Sequence, residues 1–140
     1  MQSQKPIYKK PFELIDSYEE STWLGNDTPF FENDHTGVFN DKFPCVEGHT
    51  LFIPKKNNPE YIGKSYELAY EYGDRWIKEG KIKGFNMGMN IGRCAGQTIL
   101  WPHIHFIPRH DNDAEHHGGI RYAHPGADHR EHYNEKNQEA

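Results

Sequence analysis

The chain has 140 residues, a formal net charge of −5 and two cysteines, and its mean hydropathy is −0.99. This length suits a single domain that buries one core, and the acidic balance, with no dense block of lysine and arginine, argues against a nucleic-acid polymer as a partner. The sequence has no long apolar run, which argues against a membrane span or a signal peptide, so we expect no membrane partner and a cytoplasmic location.

The two cysteines, Cys45 and Cys94, form no CxxC pair and are too few to staple a small secreted domain. They favour a reducing compartment, which again indicates the cytoplasm. We expect both to be buried free thiols.

The first half of the chain predicts a polar arm, a short helix and two strands. Residues 1–11 are polar and contain two prolines, and we expect them to be poorly ordered. Two β-rich runs follow at residues 37–40 and 49–54. Between the arm and these runs, apolar residues at helical spacing predict a short helix that ends near Gly25, and they are Phe12, Leu14, Ile15 and Tyr18.

The segment after Asn58 predicts the long helix of the domain. Asn58 is a suitable N-cap, Pro59 favours a first helical turn, and Gly80 is a stop signal. One face of this helix carries most of its apolar side chains, which are Ile62, Tyr66, Ala69, Tyr70, Trp76 and Ile77.

Two further strands are predicted, over residues 84–90 and 98–107, with the turn-rich stretch IGRCAG between them. Strands on both sides of one helix, without repeated alternation, indicate an α+β fold in which an antiparallel sheet packs against that helix. We expect residues 122–140 to form a poorly ordered polar tail. The histidines near the C-terminus are expected to be solvated, and they are His116, His117, His124, His129 and His132.

The strand over residues 98–107 contains two histidines one residue apart. In an extended chain Trp101, His103 and His105 point to one side, while the alternate apolar side chains point to the core. Pro102 donates no ladder hydrogen bond, so a bulge or a local edge is expected beside the histidines.

Three interpretations of this histidine pair fit the residues alone. The histidines can be surface residues of a half-exposed strand, or they can share a metal ion, although no further ligands stand at a recognisable spacing. They can also act on phosphorus, because a neutral imidazole is a nucleophile at pH 7 and forms a covalent N–P intermediate. The preceding stretch NIGRCAGQT favours the third interpretation, because Gly92 and Gly96 permit close approach of the backbone to a phosphate.

The stretch GQTILWPHIHFIPR resembles the signature of the histidine triad (HIT) family, His-φ-His-φ-His-φ-φ, in which φ is hydrophobic and Gly-Gln-Ser/Thr commonly precedes. The stretches FNDKFPCVEGHTLFIPKK and GFNMGMNIGRCAGQT resemble the family's first conserved block and its phosphate loop. GGIR is similar to the ending of bacterial dinucleoside polyphosphate hydrolase-like members. The resemblance covers roughly residues 30–121 and implies a HIT-like domain, a homodimer, a nucleotide substrate, and chemistry that uses no cofactor or metal ion.

The resemblance also implies a role for each matching residue. His103 matches the catalytic nucleophile that attacks the α-phosphate, with the main-chain carbonyl of the first motif position holding its other nitrogen. His105 matches the third histidine, which contacts the phosphate or the bridging oxygen, and His49 would support the same pocket. The matching substrate-binding positions are Asp41 for the ribose and Asn90, Gly96, Gln97 and Thr98 for the phosphates.

Plainer roles stay open for several of these residues. Asp41 can cap a turn, Asn90 can end its strand, and His49 can be a hydrogen-bonded histidine at a strand edge. Arg93 matches no family position and is expected to be solvated.

Trp101 stands where the family has the first histidine of its motif. Tryptophan still supplies a main-chain carbonyl, so nucleophilic attack remains available, while its indole N–H needs a partner if it is buried. The implied function is hydrolysis at the α-phosphate of a dinucleoside polyphosphate, such as diadenosine tetraphosphate, through a nucleotidyl-His103 intermediate. The alternatives are a nucleoside phosphoramidase and a nucleotide-binding protein in which Trp101 has removed most turnover.

Overall fold

The computed structural model describes residues 13–114 and 118–124. Five strands form one antiparallel sheet in the order β2-β3-β4-β7-β5, which confirms the predicted α+β class. No helix within the described residues is long and apolar enough to span a membrane. The elements in chain order are β1 Glu13–Leu14, α1 Thr22–Asn26, β2 Phe31–Glu32, β3 Thr36–Asn40, β4 Thr50–Pro54, α2 Pro59–Lys78, β5 Gly84–Gly88, a 3-10 helix Arg93–Ala95, β6 Ile99–Leu100, β7 Ile104–Arg109 and a second 3-10 helix Gly119–Ala123.

The long helix α2 begins and ends where the sequence predicts. The side chain of Asn58 accepts a hydrogen bond of 2.9 Å from the Tyr61 N–H, and Pro59 occupies the first turn. The residues that α2 buries are the small Ser65, Ala69 and Gly73, which let the helix approach the sheet closely. The predicted apolar face was therefore partly wrong, since Tyr70 and Ile77 are exposed.

The sheet separates two apolar clusters, because successive side chains of a strand point to opposite faces. The helix face packs against α2, and its buried residues are Val38, Phe52, Ala69, Ile82, Ile104 and Phe106. The opposite face, which we call the histidine face, buries Ile15, Tyr18, Phe39, Leu51, Ile53 and Trp101, with Trp23, Leu24 and Ile99 packed against them. His105 belongs to this second face because it stands opposite Leu51 in the β4–β7 register.

The N-terminal helix lies later than predicted. Residues 13–14 form β1, which pairs in parallel with β6, and α1 covers only Thr22–Asn26 after the N-cap Ser21. The apolar residues Ile15 and Tyr18, whose spacing predicted a helix, instead lie in an irregular segment that buries both side chains on the histidine face.

The predicted strand over residues 98–107 is divided into β6 and β7 by residues 101–103. The missing N–H of Pro102 accounts for this break, which lies beside the histidines as expected. Strand β5 ends at Gly88, two residues earlier than predicted.

The expectation of buried thiols was wrong, because Cys45 and Cys94 are both exposed. Both lie outside the sheet, Cys45 in the β3–β4 loop and Cys94 in the first 3-10 helix.

The predicted arm 1–11 and the tail beyond His124 lie outside the described residues. His124 itself is described and is exposed. The tail prediction began at Tyr122, which the second 3-10 helix contains. The remaining histidines of the C-terminal region, His116, His117, His129 and His132, also fall outside the described residues.

Candidate active site around three histidines

His103 is held by the main chain of the residue two positions before it. Its Nδ1 lies 2.7 Å from the carbonyl oxygen of Trp101. A carbonyl only accepts, so Nδ1 carries the hydrogen and Nε2 keeps the free electron pair of the neutral ring. Burial lowers the pKa of His103, against the opposing effects of this hydrogen bond and of Asp41. The ring is therefore neutral at pH 7, with Nε2 as its nucleophilic atom.

His49 immediately precedes β4, and a main-chain donor fixes its tautomer. The N–H of Cys45 donates to Nδ1 of His49 at 3.1 Å, so a neutral His49 carries its hydrogen on Nε2. That Nε2 lies 2.9 Å from Nδ1 of His105 and 3.2 Å from Oδ2 of Asp41. His49 is thus a donor to both neighbours, and burial lowers its pKa, with Asp41 acting in the opposite direction.

The tautomer of His49 determines that of His105. Nδ1 of His105 accepts from His49, so a neutral His105 carries its hydrogen on Nε2 and offers a donor there. Burial is the largest cause that lowers the pKa of His105, to about 4, and the nearby His103 and His49 lower it further against the carboxylate of Asp41. The three neutral rings therefore combine one nucleophilic nitrogen with one available hydrogen-bond donor, beside the carboxylate of Asp41.

Asp41, His49 and His105 are also the described residues that come nearest to a metal-binding arrangement. Their potential ligand atoms all lie within 4.8 Å of one another. A metal-bound histidine usually donates its other ring N–H to a neighbour, yet Nδ1 of His49 faces the Cys45 N–H, which is itself a donor. A cation on Nε2 of His49 would move the ring hydrogen to Nδ1, where it would face the Cys45 N–H. The arrangement therefore suits a hydrogen-bonded network better than a metal site.

Trp101 serves the site through its main chain while its side chain anchors the segment. The indole is buried on the histidine face, away from α2, and its Nε1–H donates to the carbonyl oxygen of Pro54 at 2.9 Å. The indole N–H therefore has the partner that its burial requires. This bond connects the break between β6 and β7 to the end of β4. The carbonyl that holds His103 belongs to the same residue, Trp101.

Trp23 contacts the same histidine, and the sequence did not point to it. Its ring centroid lies 5.0 Å from that of His103, with the planes inclined by 54°. The one available signal was the pair Trp23–Leu24 between polar residues, because the predicted helix placed the apolar face on earlier residues. The donor role of Cys45 had no signal at all, since any residue except proline supplies a main-chain N–H.

The loop before β6 has the conformation that its glycines predict. Gly92 and Gly96 have φ values of 91° and 96°, which residues other than glycine rarely adopt. Gln97 closes the loop, because its Oε1 accepts from the Gly92 N–H at 2.8 Å and its Nε2 donates to the Ile99 carbonyl at 3.1 Å. The amide of Asn90 lies beside Gly96, while Thr98 and Arg93 are exposed.

The predicted site residues thus fall into two groups. His49, His103, His105 and Asp41 are in direct contact, whereas Asn90, Gly96, Gln97 and Thr98 belong to the loop that leads into β6. Within residues 13–114 and 118–124, no side-chain hydrogen bond joins the two groups. Asp41 also caps a turn, because its Oδ1 accepts from the Phe43 N–H at 2.8 Å.

The second 3-10 helix borders the site on the same face. Gly88 of β5 stands opposite His105, so a side chain at Gly88 would point to the histidine face. The Cδ1 of Ile120 lies 3.6 Å from the position of such a Cβ. The GGIR segment therefore packs over β5 next to His105.

Known proteins with similar sequences identify the family. The family model described as "HIT domain" matches residues 26–112. A HIT-like protein of Mycoplasma pneumoniae is 34% identical over 87 residues, which are 57% of this chain and 60% of that protein. The Arabidopsis thaliana adenylylsulfatase HINT3 is 29% identical over 118 residues, which are 70% of this chain and 60% of that protein. Both matches leave about two fifths of the relative's length unmatched.

A solved structure extends the similarity to the fold. Plasmodium falciparum diadenosine triphosphate hydrolase superposes with a TM-score of 0.54 and 26% identity, over 60% of this chain and 62% of that one.

Proposed function

This chain belongs to the HIT family, which includes hydrolases that act on nucleotides, and on that premise we propose that it hydrolyses a dinucleoside polyphosphate such as diadenosine tetraphosphate through a covalent intermediate on His103. The observation that carries the proposal is the hydrogen bond of Nδ1 of His103 to the Trp101 carbonyl. It leaves Nε2 unprotonated and fixes the plane of the ring, which are the two requirements of a nucleophile on phosphorus.

The reaction has two displacements at the α-phosphorus. In the first, the electron pair on Nε2 of His103 forms the N–P bond, the bond from phosphorus to the bridging oxygen breaks, and a nucleoside polyphosphate leaves with that electron pair. In the second, a water oxygen bonds to phosphorus, the N–P bond breaks, and its electron pair returns to His103. The products are a nucleoside monophosphate and the free enzyme, and the proton that water loses passes to solvent.

His105 and the network behind it stabilise the charge that develops during these steps. Nε2–H of His105 is the donor that the tautomer of His49 leaves available, and we assign it to a phosphate oxygen or to the bridging oxygen. Because both rings are neutral, the donor does not depend on a proton that the protein gains or loses near pH 7. Preorganised donors of this kind are a large contribution to catalysis.

The remaining predicted residues bind the substrate. We assign the carboxylate of Asp41 to the ribose hydroxyls, because it accepts hydrogen bonds and lies next to His49. Asn90, Gly96 and Thr98 are assigned to the phosphates. Gln97 shapes the loop that presents them, since both ends of its amide bond to that loop and to β6.

We also propose that the protein is a cytoplasmic homodimer. Strand β5 is the last strand in the sheet order, so one side of it is an edge on which a second copy can pair. Light scattering of the purified protein measures this state directly, and a monomeric mass at micromolar concentration would rule the dimer out.

The decisive experiment is to trap the intermediate. Wild-type protein is mixed with diadenosine tetraphosphate, quenched within one turnover, and the adenylylated peptide is identified by mass spectrometry. We expect adenylate on His103 in the wild type and none in His103→Ala, with the exposed His110→Ala as a matched control that behaves as the wild type. Equal product from wild type and His103→Ala would overturn the catalytic assignment.

Four additional arms separate the alternatives. Tight nucleotide binding without turnover would identify a binding protein, and faster turnover of an AMP-amide than of the tetraphosphate would identify a phosphoramidase. Adenylyl sulfate joins the panel because the Arabidopsis relative is named for that activity. A chelator is expected to leave the rate unchanged, because the donor facing His49 disfavours a metal.

A further inference from the structure

The imidazole of His103 lies between two rings and a main-chain acceptor. Trp23 is on one side, with a centroid distance of 5.0 Å, and His105 is on another at 5.2 Å with an edge-on inclination of 61°. The Trp101 carbonyl holds Nδ1. The contact with Trp23 comes from α1, which contains none of the predicted site residues.

The N-terminal segment brings Trp23 to this position by packing on the histidine face. Ser21 begins α1 by accepting from the Leu24 N–H, and Trp23 and Leu24 both pack against the cluster that contains Trp101. Trp23 itself is only half-buried. One part of the indole is therefore held by the core while another part lies over His103.

Two titratable groups face His103, whereas Trp23 is a neutral neighbour. The titratable groups that face it are His105 on β7 and Asp41 after β3, and His49 lies behind His105. Helix α1, with the sequence TWLGN, contributes no titratable side chain. The indole thus adds no charge to the site, and its effect on His103 is to exclude water and to restrict rotation of the ring.

We propose that Trp23 is a positioning residue for His103, whose indole covers one side of the imidazole, keeps its Nδ1 on the Trp101 carbonyl and thereby directs Nε2 towards the phosphorus. The catalytic part of this inference rests on the proposed function. The positioning part concerns the free protein and stands without it. A ring that loses this cover can turn away from the attacking orientation, and small misplacements of a reacting group cost rate rather than binding.

The test compares three variants. Trp23→Ala removes the cover, Trp23→Phe keeps an aromatic ring, and Leu24→Ala is the matched control, because Leu24 lies on the same helix and packs against the same cluster. The ring nitrogens of 15N-labelled histidine are followed by NMR in the absence of nucleotide, with the His103 signals assigned by their loss in His103→Gln. Unfolding in urea for all variants shows how much of any effect is loss of stability.

We expect Trp23→Ala to lower the fraction of His103 that carries its hydrogen on Nδ1 and to raise its titration midpoint towards the ordinary pKa of histidine, since burial is what lowers it. The single-turnover rate of adenylyl transfer is expected to fall about tenfold with little change in KM. Trp23→Phe should recover most of both effects, and Leu24→Ala should show neither.

Identical His103 spectra and rates in Trp23→Ala and Leu24→Ala would overturn the proposal. If none of the proteins, the wild type included, transfers adenylate, the proposed function fails, and the NMR comparison alone then decides whether Trp23 positions the ring.

Discussion

His49 Nε2 lies 2.9 Å from His105 Nδ1, although 56 positions separate the two residues in the chain. The antiparallel pairing of β4 with β7 brings them together, because Leu51 stands opposite His105 and His49, two residues before Leu51, is the diagonal neighbour on the same face. The network that determines which nitrogen of each ring is protonated is thus a consequence of sheet register, and a slip of one residue would turn His49 to the helix face.

We predict that the protein loses stability as the pH is lowered, and that this loss begins at a higher pH than the titration of its carboxylates. The folded-state pKa values of His49 and His103 are lowered, and that of His105 is about 4. The unfolded chain therefore binds more protons than the folded one below about pH 6.5, so stability is complete above that pH and is lost as the pH falls towards 4. The midpoint of urea unfolding, measured from pH 7.5 to 5, reports this loss.

The variants for this experiment are His105→Asn, which removes one of the three groups, and His110→Asn, an exposed histidine with no described role. We expect a shallower pH dependence only in His105→Asn. A wild-type stability that is constant over this range would contradict the lowered pKa values.

Asp41 serves a turn and a histidine at once, and two substitutions separate these roles. Asp41→Asn retains an Oδ1 that accepts from the Phe43 N–H, but it replaces the carboxylate oxygen near His49 by an amide donor. Asp41→Ala loses both contacts, of which the turn bond alone contributes about 0.5–1.5 kcal/mol. We expect Asn to be less stable than the wild type, because its amide donor faces the Nε2–H of His49, and Ala to lose the turn bond as well.

Both Asp41 variants are expected to bind nucleotide at least about tenfold more weakly, because the loss of a charged acceptor costs about 1.5–3 kcal/mol. Calorimetric titration with AMP measures this, with Asp34→Asn as an exposed control. An Asp41→Asn protein that binds AMP as the wild type does would contradict the assignment of Asp41 to the ribose.

The sequence predicted the parts of the fold that local signals encode. The N-cap Asn58, the first-turn Pro59 and the stop Gly80 act within a few residues, and α2 follows them closely. The N-terminal segment was misplaced for the opposite reason. Its apolar residues are buried by contact with distant strands, so Ile15 and Tyr18 reach the core without forming the helix that their spacing predicted.

The site divides in the same way. His103, His105, Asp41 and His49 stand in recognisable motifs, and the structure brings their side chains into contact. Trp23 and the Cys45 N–H were missed because their roles depend on where the chain returns in space, and a main-chain donor leaves no trace in residue identity. The bond of Gln97 to its own loop was likewise beyond what the Gly-Gln-Thr pattern reveals.

Gln97 offers a test of the loop. Gln97→Ala removes the acceptor of the Gly92 N–H and the donor to the Ile99 carbonyl, so the loop loses the two bonds by which this side chain closes it. We expect the rate of adenylyl transfer to fall about tenfold and the free energy of unfolding to fall by about 1–2 kcal/mol. Stopped-flow transfer assays and urea unfolding measure the two quantities.

Gln97→Glu is the matched variant, because it keeps the acceptor, loses the Nε2 donor and adds a negative charge near the proposed phosphate site. It should be more stable than Gln97→Ala yet no faster. A Gln97→Ala enzyme with the wild-type rate would show that the loop does not need this closure.

Trp101 provides the sharpest contrast between stability and chemistry. Trp101→Phe keeps the main-chain carbonyl that holds His103 but deprives the Pro54 carbonyl of its donor, and an unsatisfied buried group costs about 1–3 kcal/mol. We expect that loss in urea unfolding, together with a rate of adenylyl transfer within about threefold of the wild type, since the nucleophile keeps its acceptor. Trp76→Phe, on the helix face, controls for the loss of any indole. A rate loss of more than about tenfold in Trp101→Phe, without a matching loss in Trp76→Phe, would contradict this expectation and show that the reaction needs the indole.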